Sequence, residues 1–164
     1  MLNENLVGII SDTHDNRKMI KRAVDVFNHR GCSIILHAGD YIAPFTFFDF
    51  QHLAGSFIGV YGNNDGEKNG LDAKYSAIGN IYDPPYEFDY SGKHFVIMHN
   101  PSGIDPFISR EDIDVIIYGH LHEIDIRYGR PLVINPGECC GYLTERSTVA
   151  VLDISDMTVE LIDL

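Results

Sequence analysis

Apolar positions along the chain follow two different periods, and the change of period marks out the elements. Leu6 to Ile10 is a short continuous apolar run, which predicts a buried strand. From Arg17 to Arg30 the apolar residues Ile20, Ala23, Val24 and Phe27 recur at three- and four-residue intervals, so they share one face of a helix. Gly31 follows where a helix C-terminus favours glycine. Ser33 to His37 is again strand-like, which completes a βαβ unit. Pro44 opens a second predicted helix through Leu53, Phe57 to Tyr61 reads as a third strand, and Gly62 to Tyr75 is turn-rich with weak helical content. Phe45, Phe47, Phe48 and Phe50, at near-helical spacing, suit a core or subunit-contact face better than a cofactor box.

After Asp83-Pro84-Pro85 the pattern turns to strands. Tyr86 to Tyr90 and His94 to Met98 flank Ser91-Gly92-Lys93, a hairpin turn in composition. Further strands are predicted at Val115 to Tyr118, Ile124 to Tyr128, Leu132 to Ile134, Thr148 to Leu152 and Val159 to Leu164, with one short helix near Pro106 to Glu111. No repeat, linker or low-complexity tract interrupts the chain, so residues 1–164 are expected to form one α/β domain. Two mixed sheets packed face to face, with helices outside, would bury all these apolar faces in a four-layer α-β-β-α sandwich.

Composition narrows the functional classes. The longest apolar stretches fall far short of the roughly 20 residues of a membrane-spanning helix, and Met1 to Asn5 lacks the form of a signal peptide. A cytoplasmic protein without membrane association is the expectation. Cys32, Cys139 and Cys140 are odd in number, lack metal-type spacing and read as reduced structural thiols. The formal charge of −12 and the absence of a basic cluster disfavour nonspecific nucleic-acid binding. Two divalent cations would bring that charge to about −8.

The candidate chemistry lies just after the predicted strands. Asp12 with His14, Asp40, Asn63, His99, and His120 with His122 each follow one, and loops beyond the carboxyl ends of strands form the ligand crevice of open α/β sheets. The i, i+2 spacing of Asp12/His14 and of His120/His122 turns both members of a pair to one side of an extended chain. Gly39, Gly62 and Gly119 precede Asp40, Asn63 and His120 and offer the freedom that sharp turns require. Taken singly, these residues have bland readings: Asp12, Thr13 or Asp65 as helix caps, Asn63 as a turn residue, His120 and His122 as half-buried histidines. Their coincidence at strand ends favours a site. His29, His52 and His94 read as surface residues, and His37 as packing or support.

Carboxylate, imidazole and amide ligands together suit Mn²⁺, Fe²⁺, Zn²⁺, Ni²⁺ or Co²⁺ rather than Mg²⁺ or Ca²⁺. Seven candidate ligands exceed what one ion with an open position needs and are enough for two ions sharing a carboxylate, with Asp40 the natural bridge.

Through Ser11-Asp12-Thr13-His14, Gly39-Asp40, Gly62-Asn63-Asn64-Asp65, His99 and Gly119-His120-Leu121-His122 the chain resembles the calcineurin-like metallophosphoesterase superfamily. Its length and the segment Asn135-Pro136-Gly137-Glu138-Cys139-Cys140-Gly141-Tyr142 make it most similar to the small YfcE-like phosphodiesterases, especially archaeal ones. The resemblance implies the four-layer sandwich, one metal held by Asp12, His14, Asp40 and His122, a second held by Asp40, Asn63, His99 and His120, and a preference for Mn²⁺ or Ni²⁺. It implies hydrolysis of a small phosphodiester by a water activated between two metals, with Asp40, Asn63 and His99 in the catalytic centre and Asn64 and Asp65 as secondary candidates. Two departures stand out. Asn64 occupies the place of a frequent histidine and cannot act as a general acid, and Asn100-Pro101 follows His99 where relatives often continue with glycine and histidine. The rival expectation is a non-catalytic scaffold, as in the retromer subunit that shares this fold. A complete ligand set gives the enzyme the advantage. The phenylalanine-rich segment is compatible with a homodimer or higher oligomer.

Overall fold

The computed structural model describes all 164 residues. Strand β1 (Asn3–Ile10) leads through a loop into helix α1 (Arg17–Arg30), and β2 (Cys32–His37) then runs parallel to β1. Asn16 caps α1, its side chain accepting from the Met19 N–H at 3.4 Å, so neither Asp12 nor Thr13 serves as the cap. At the other end Gly31 takes φ 72° and donates its N–H to the carbonyls of Phe27 and Asn28. Ile20, Ala23, Val24 and Phe27 are buried, as their spacing requires.

The second predicted helix is shorter than its pattern suggests. A 3₁₀ turn (Pro44–Thr46) runs into α2, only Phe47–Phe50. The four phenylalanines accordingly divide: Phe50 is fully buried and Phe47 packs against the core, whereas Phe45 and Phe48 are exposed. Asp49 of α2 is buried and accepts two hydrogen bonds from the Arg17 guanidinium, at 2.6 and 3.1 Å, which ties α2 to the start of α1. Strand β3 (Ser56–Val60) precedes α3 (Lys68–Tyr75), a full eight-residue helix within the turn-rich region, and β4 (Gly79–Tyr82) adds a strand that the hydrophobic pattern does not signal.

The first sheet has the order β11-β10-β1-β2-β3-β4, with β1 to β4 parallel and with β10 (Thr148–Asp153) and β11 (Thr158–Asp163) antiparallel at one side. The second has the order β5-β6-β7-β9-β8, from β5 (Tyr86–Tyr90), β6 (Lys93–Ile97), β7 (Val115–Ile117), β8 (Ile124–Arg127) and β9 (Leu132–Pro136). Strands β6, β7 and β9 are parallel, and the hairpin β5–β6 turns on Ser91 and Gly92, both at positive φ, as a tight two-residue turn demands.

Three clusters of buried side chains separate the layers. Ile10, Ile35 and Val151 on the outer face of the first sheet meet Phe27, Phe50 and Tyr75 from the helices. Val7, Ile9, Leu36 and Leu152 on its inner face meet Phe95, Ile97, Val115, Ile117 and Ile134 from the second sheet. Val96, Ile116 and Val133 on the far side are covered by Ile104, Phe107 and Ile108, around the single-turn helix α4 (Asp105–Ile108). This is an α-β-β-α sandwich whose fourth layer is thin. No helix is long and apolar enough to cross a membrane.

Candidate metal centre

The carboxyl ends of β1, β2, β3, β6 and β7 carry Asp12 and His14, Asp40, Asn63, His99, and His120 and His122 respectively, and the loops close on one another. Backbone hydrogen bonds lace them together. Asp12 donates to the carbonyl of Gly39 at 3.0 Å, Thr13 and His14 donate to that of Asp40 at 3.1 Å, and Gly119 donates to that of His99 at 3.1 Å. The chain is strained to achieve this. Asp12, His14, Asp40, His120 and His122 all have φ between 39° and 69°, a conformation that side chains with a Cβ seldom adopt, and β-branched Ile42 stands at 83°. Such strain persists only where the surrounding bonds over-determine it, and it concentrates where side chains must be aimed.

Of the three glycines expected to give turning freedom, only Gly39 takes positive φ, at 100°. Gly62 and Gly119 are required for a different reason, close approach. A Cβ on Gly62 would lie 2.5 Å from the Asp40 backbone nitrogen, and one on Gly119 would collide with Ser11 Oγ and lie 2.7 Å from Asp12 Oδ2.

The two carboxylates each split their oxygens between building the loops and facing the centre. Asp12 Oδ2 accepts from Ser11 Oγ at 2.6 Å and from the His120 N–H at 3.0 Å, while Asp12 Oδ1 is buried without a hydrogen-bond partner. Asp40 Oδ1 accepts from the Asn64 N–H at 2.9 Å. Its Oδ2 accepts from Asn64 Nδ2 at 2.8 Å and lies 3.4 Å from both His14 Nε2 and His99 Nε2. His14 Nε2 is itself buried without a hydrogen-bond partner, 3.7 Å from Asp12 Oδ1. His122 Nε2 stands 3.4 Å from the same oxygen. On the far side Asn63 Oδ1 lies 2.9 Å from His99 Nε2 and 2.9 Å from His120 Nδ1.

Proton inventory explains why this arrangement calls for a cation. His99 Nδ1 faces the carbonyl of Ala38 at 2.7 Å and must donate to it, so the neutral ring offers a lone pair at Nε2 toward Asp40. His122 Nδ1 faces the Glu138 carboxylate at 2.6 Å and must donate there, leaving a lone pair at Nε2 toward Asp12. Acceptors therefore converge on acceptors, and such a cluster takes up either protons or metal ions. The proton affinities run the same way. The facing Asp12 carboxylate, with Asp40 beside it, raises the His14 pKa above its ordinary value despite burial. Burial depresses that of His99, but the adjoining Asp40 carboxylate outweighs it and the net shift is upward. Burial raises Asp40, yet the His99 contact and the two Asn64 hydrogen bonds bring it well below the usual carboxylate range. Donor atoms of Asp12, His14 and His122 lie within 4.8 Å of one another, and so do those of Asp12, Asp40 and His99. The residues present thus fit divalent ions of borderline character.

A sequence model of the calcineurin-like phosphoesterase superfamily domain matches residues 6–157. This chain belongs to that superfamily. It is 39% identical over 152 residues to the phosphodiesterase MJ0936 of Methanocaldococcus jannaschii, covering 90% of this chain and 92% of the relative. A solved archaeal phosphodiesterase superposes with a TM-score of 0.92 at 36% identity, over 97% of this chain and 99% of that one. The Escherichia coli phosphoesterase YfcE superposes with a TM-score of 0.66 at 16% identity, over 96% of this chain and 98% of that one, a likeness of fold.

The calcineurin-like centre also draws in residues whose place the sequence pattern left open. Asp65 is buried and accepts from four backbone N–H groups, those of Asp40, Tyr41, Ile42 and Gly62, at 2.7 to 3.0 Å, so it clamps the β2 and β3 loops together rather than capping a helix. His37 is fully buried and accepts from the Gly39 N–H at Nδ1, its ring stacked on Tyr41. Burial lowers its pKa, as suits a packing residue. Cys139 and Cys140 are buried free thiols with burial-raised pKa values, Cys140 to about 12. His29 and His52 are exposed, and His94 is half-buried among Asp89 and Glu87. Ser11 and Glu138 touch the centre although spacing did not single them out. Glu138 follows β9, a sixth strand end at the same edge, and the strand-end rule applied to β9 would have found it.

Proposed function

We propose that this member of the calcineurin-like superfamily is a metal-dependent phosphodiesterase acting on a small diester. In this reading Asp12, His14, Asp40 and His122 hold one divalent ion, and Asp40, Asn63, His99 and His120 hold a second. Asp40 is shared. Mn²⁺ and Ni²⁺ are favoured, and the same donors accept Fe²⁺, Zn²⁺ or Co²⁺. The carrying observation is the convergence of unshared lone pairs: Asp12 Oδ1 and His14 Nε2 are buried with no hydrogen-bond partner, and His99 and His122 are proton-fixed with Nε2 toward carboxylates. When bound, two such ions supply positive charge to phosphate oxygens and acidify water at neutral pH.

The chain's own groups set the limits of that chemistry. Asn64 spends both its backbone N–H and its amide on Asp40, so its part is to orient the shared carboxylate. Asp65 has both oxygens engaged by backbone donors and supports the loops. Neither is free to protonate a leaving group, which favours diesters with good leaving groups. The 39% identity to a phosphodiesterase supports a diester over a monoester.

The test is hydrolysis of bis-p-nitrophenyl phosphate by chelator-stripped protein, with Mn²⁺, Ni²⁺, Zn²⁺ or Mg²⁺ restored singly and Asp40→Ala as control. Turnover restored by a transition metal and absent from the variant is expected. No turnover with any metal, despite two ions bound per chain, would overturn the enzyme reading in favour of a scaffold.

A further inference from the structure

Glu138 is buried, 1% exposed, and every contact it makes is with a donor. Its Oε1 accepts from the Thr144 N–H at 2.5 Å, the Thr144 hydroxyl at 2.7 Å and the Leu143 N–H at 3.0 Å. Its Oε2 accepts from His122 Nδ1 at 2.6 Å and from the Cys140 thiol at 3.1 Å. The carboxylate is thereby fixed from Leu143 and Thr144 through Oε1, and its Oε2 is shared between the His122 imidazole, at the shorter distance, and the Cys140 thiol. We infer that Glu138 is the positioning residue for His122, holding its proton on Nδ1 so that the Nε2 lone pair faces the centre beside Asp12 Oδ1. The inference rests on the metal-dependent reading above and deepens it.

The alternative use of these atoms, an ion among His122, Glu138 and Cys140, fits less well. Their donor atoms do lie within 4.8 Å of one another. All three, however, are joined by hydrogen bonds, whereas the unpartnered atoms Asp12 Oδ1 and His14 Nε2 lie in the neighbouring cluster. An imidazole that donates from Nδ1 to a carboxylate and presents Nε2 is also the arrangement that fixes the tautomer and raises ligand basicity at metal sites.

The isosteric variant Glu138→Gln reverses the proton order. Three donors from Leu143 and Thr144 retain the amide carbonyl, which turns the NH₂ group toward His122. Nδ1 must then accept, and the proton moves to Nε2, where it blocks the lone pair facing Asp12. The test has two readouts. Two-bond ¹H–¹⁵N spectra of metal-free protein at mildly alkaline pH report the His122 tautomer: wild type is expected to be Nδ1–H and E138Q Nε2–H. Calorimetric titration with Mn²⁺ is expected to give two ions in both proteins, one of them weakened about 10- to 100-fold in E138Q and the other unchanged. A wild-type His122 protonated at Nε2 overturns the inference without recourse to any variant. So does E138Q that binds both ions with wild-type affinity, or a wild type that holds a third ion which E138Q lacks. If wild-type protein binds no Mn²⁺ at all, the metal-dependent reading itself falls and this inference with it. If wild type binds two ions and E138Q binds them equally well, the inference alone falls.

Discussion

The two sides of the centre aim their histidines by different means. On one side the Nδ1 of His122 is held by a carboxylate, that of Glu138, from the same sheet and sixteen residues downstream. On the other, the Nδ1 of His99 is held by the backbone carbonyl of Ala38, which comes from the opposite sheet and lies sixty-one residues upstream. A carboxylate contributes charge and can be removed by substitution. A carbonyl contributes only direction, and it stays in place as long as the β2 loop keeps its path. One side therefore depends on a side chain, and the other on how closely two sheet edges approach.

Asp40 belongs to both sides, and its removal should have the largest effect. Asp40→Ala takes a ligand from each proposed ion. Since ions at such sites supply several kcal/mol of charge stabilisation, kcat for bis-p-nitrophenyl phosphate should fall about 10³-fold or more. Retention of wild-type turnover would remove the shared ligand and, with it, the pairing of the two sides. Metal removal comes next. Ions that bind only the folded chain stabilise it by about 2.7 kcal/mol at a hundredfold excess over Kd, which for a domain of this size raises Tm by about 5 to 10 °C. Differential scanning calorimetry with and without Mn²⁺ measures the rise, and Asp40→Ala should lose most of it.

The glycines separate the two sides more finely. At Gly62 an added methyl meets the Asp40 carboxylate and, behind it, the Asp40 backbone nitrogen, which cannot move without displacing the loop. At Gly119 the first obstacle is the Ser11 hydroxyl, which can rotate. Gly62→Ala should therefore cost about 1 to 3 kcal/mol of stability, Gly119→Ala less, and Ser11→Ala should recover part of the loss at Gly119 but none at Gly62. Urea denaturation of the four variants decides it. Equal losses at both glycines would mean that the two loops are equally rigid.

The same contrast explains what the sequence could and could not disclose. Elements with an uninterrupted period were legible: α1 has the predicted ends, Arg17 and Arg30, and nearly every predicted strand is present within two residues. The helix predicted after Pro44 is longer than the real one because Phe45 and Phe48 continue an apolar spacing that packing does not use. Strand β4 has no signal in the pattern because Gly79-Asn80-Ile81-Tyr82 gains its place from pairing with β3, a tertiary bond without a local period. At the site, the residues with distinctive chemistry could be read, and the structure gathers them at one edge. What holds them could not. The Ala38 carbonyl is silent in any sequence, and Asp65 looks like a cap until its four backbone donors are seen, whereas Glu138 sits at a strand end but its tie to His122 has no local signal.

His94 provides the smallest effect and a control outside both sides. On β6 its Nδ1 lies 2.7 Å from Asp89 and its Nε2 3.0 Å from Glu87, and these hydrogen bonds raise its pKa above the ordinary 6.5. A raised histidine pKa means that the folded chain holds the proton more tightly than the unfolded one. The resulting stability is fully present below pH 6.5 and is lost as pH rises through the higher folded value. The carboxylate partners are solvent-facing, Asp89 the more so, and water screens the pairs, so the contribution is a few tenths of a kcal/mol, roughly that of a surface ion pair. Urea titrations of wild type and His94→Gln should differ by that amount near about pH 6 and converge near about pH 9. The metal-restored activity profile should be the same in both proteins. A His94→Gln variant with a shifted activity profile would show that charge on the outer hairpin reaches the centre, and any pH effect assigned to either side would then have to be measured against it.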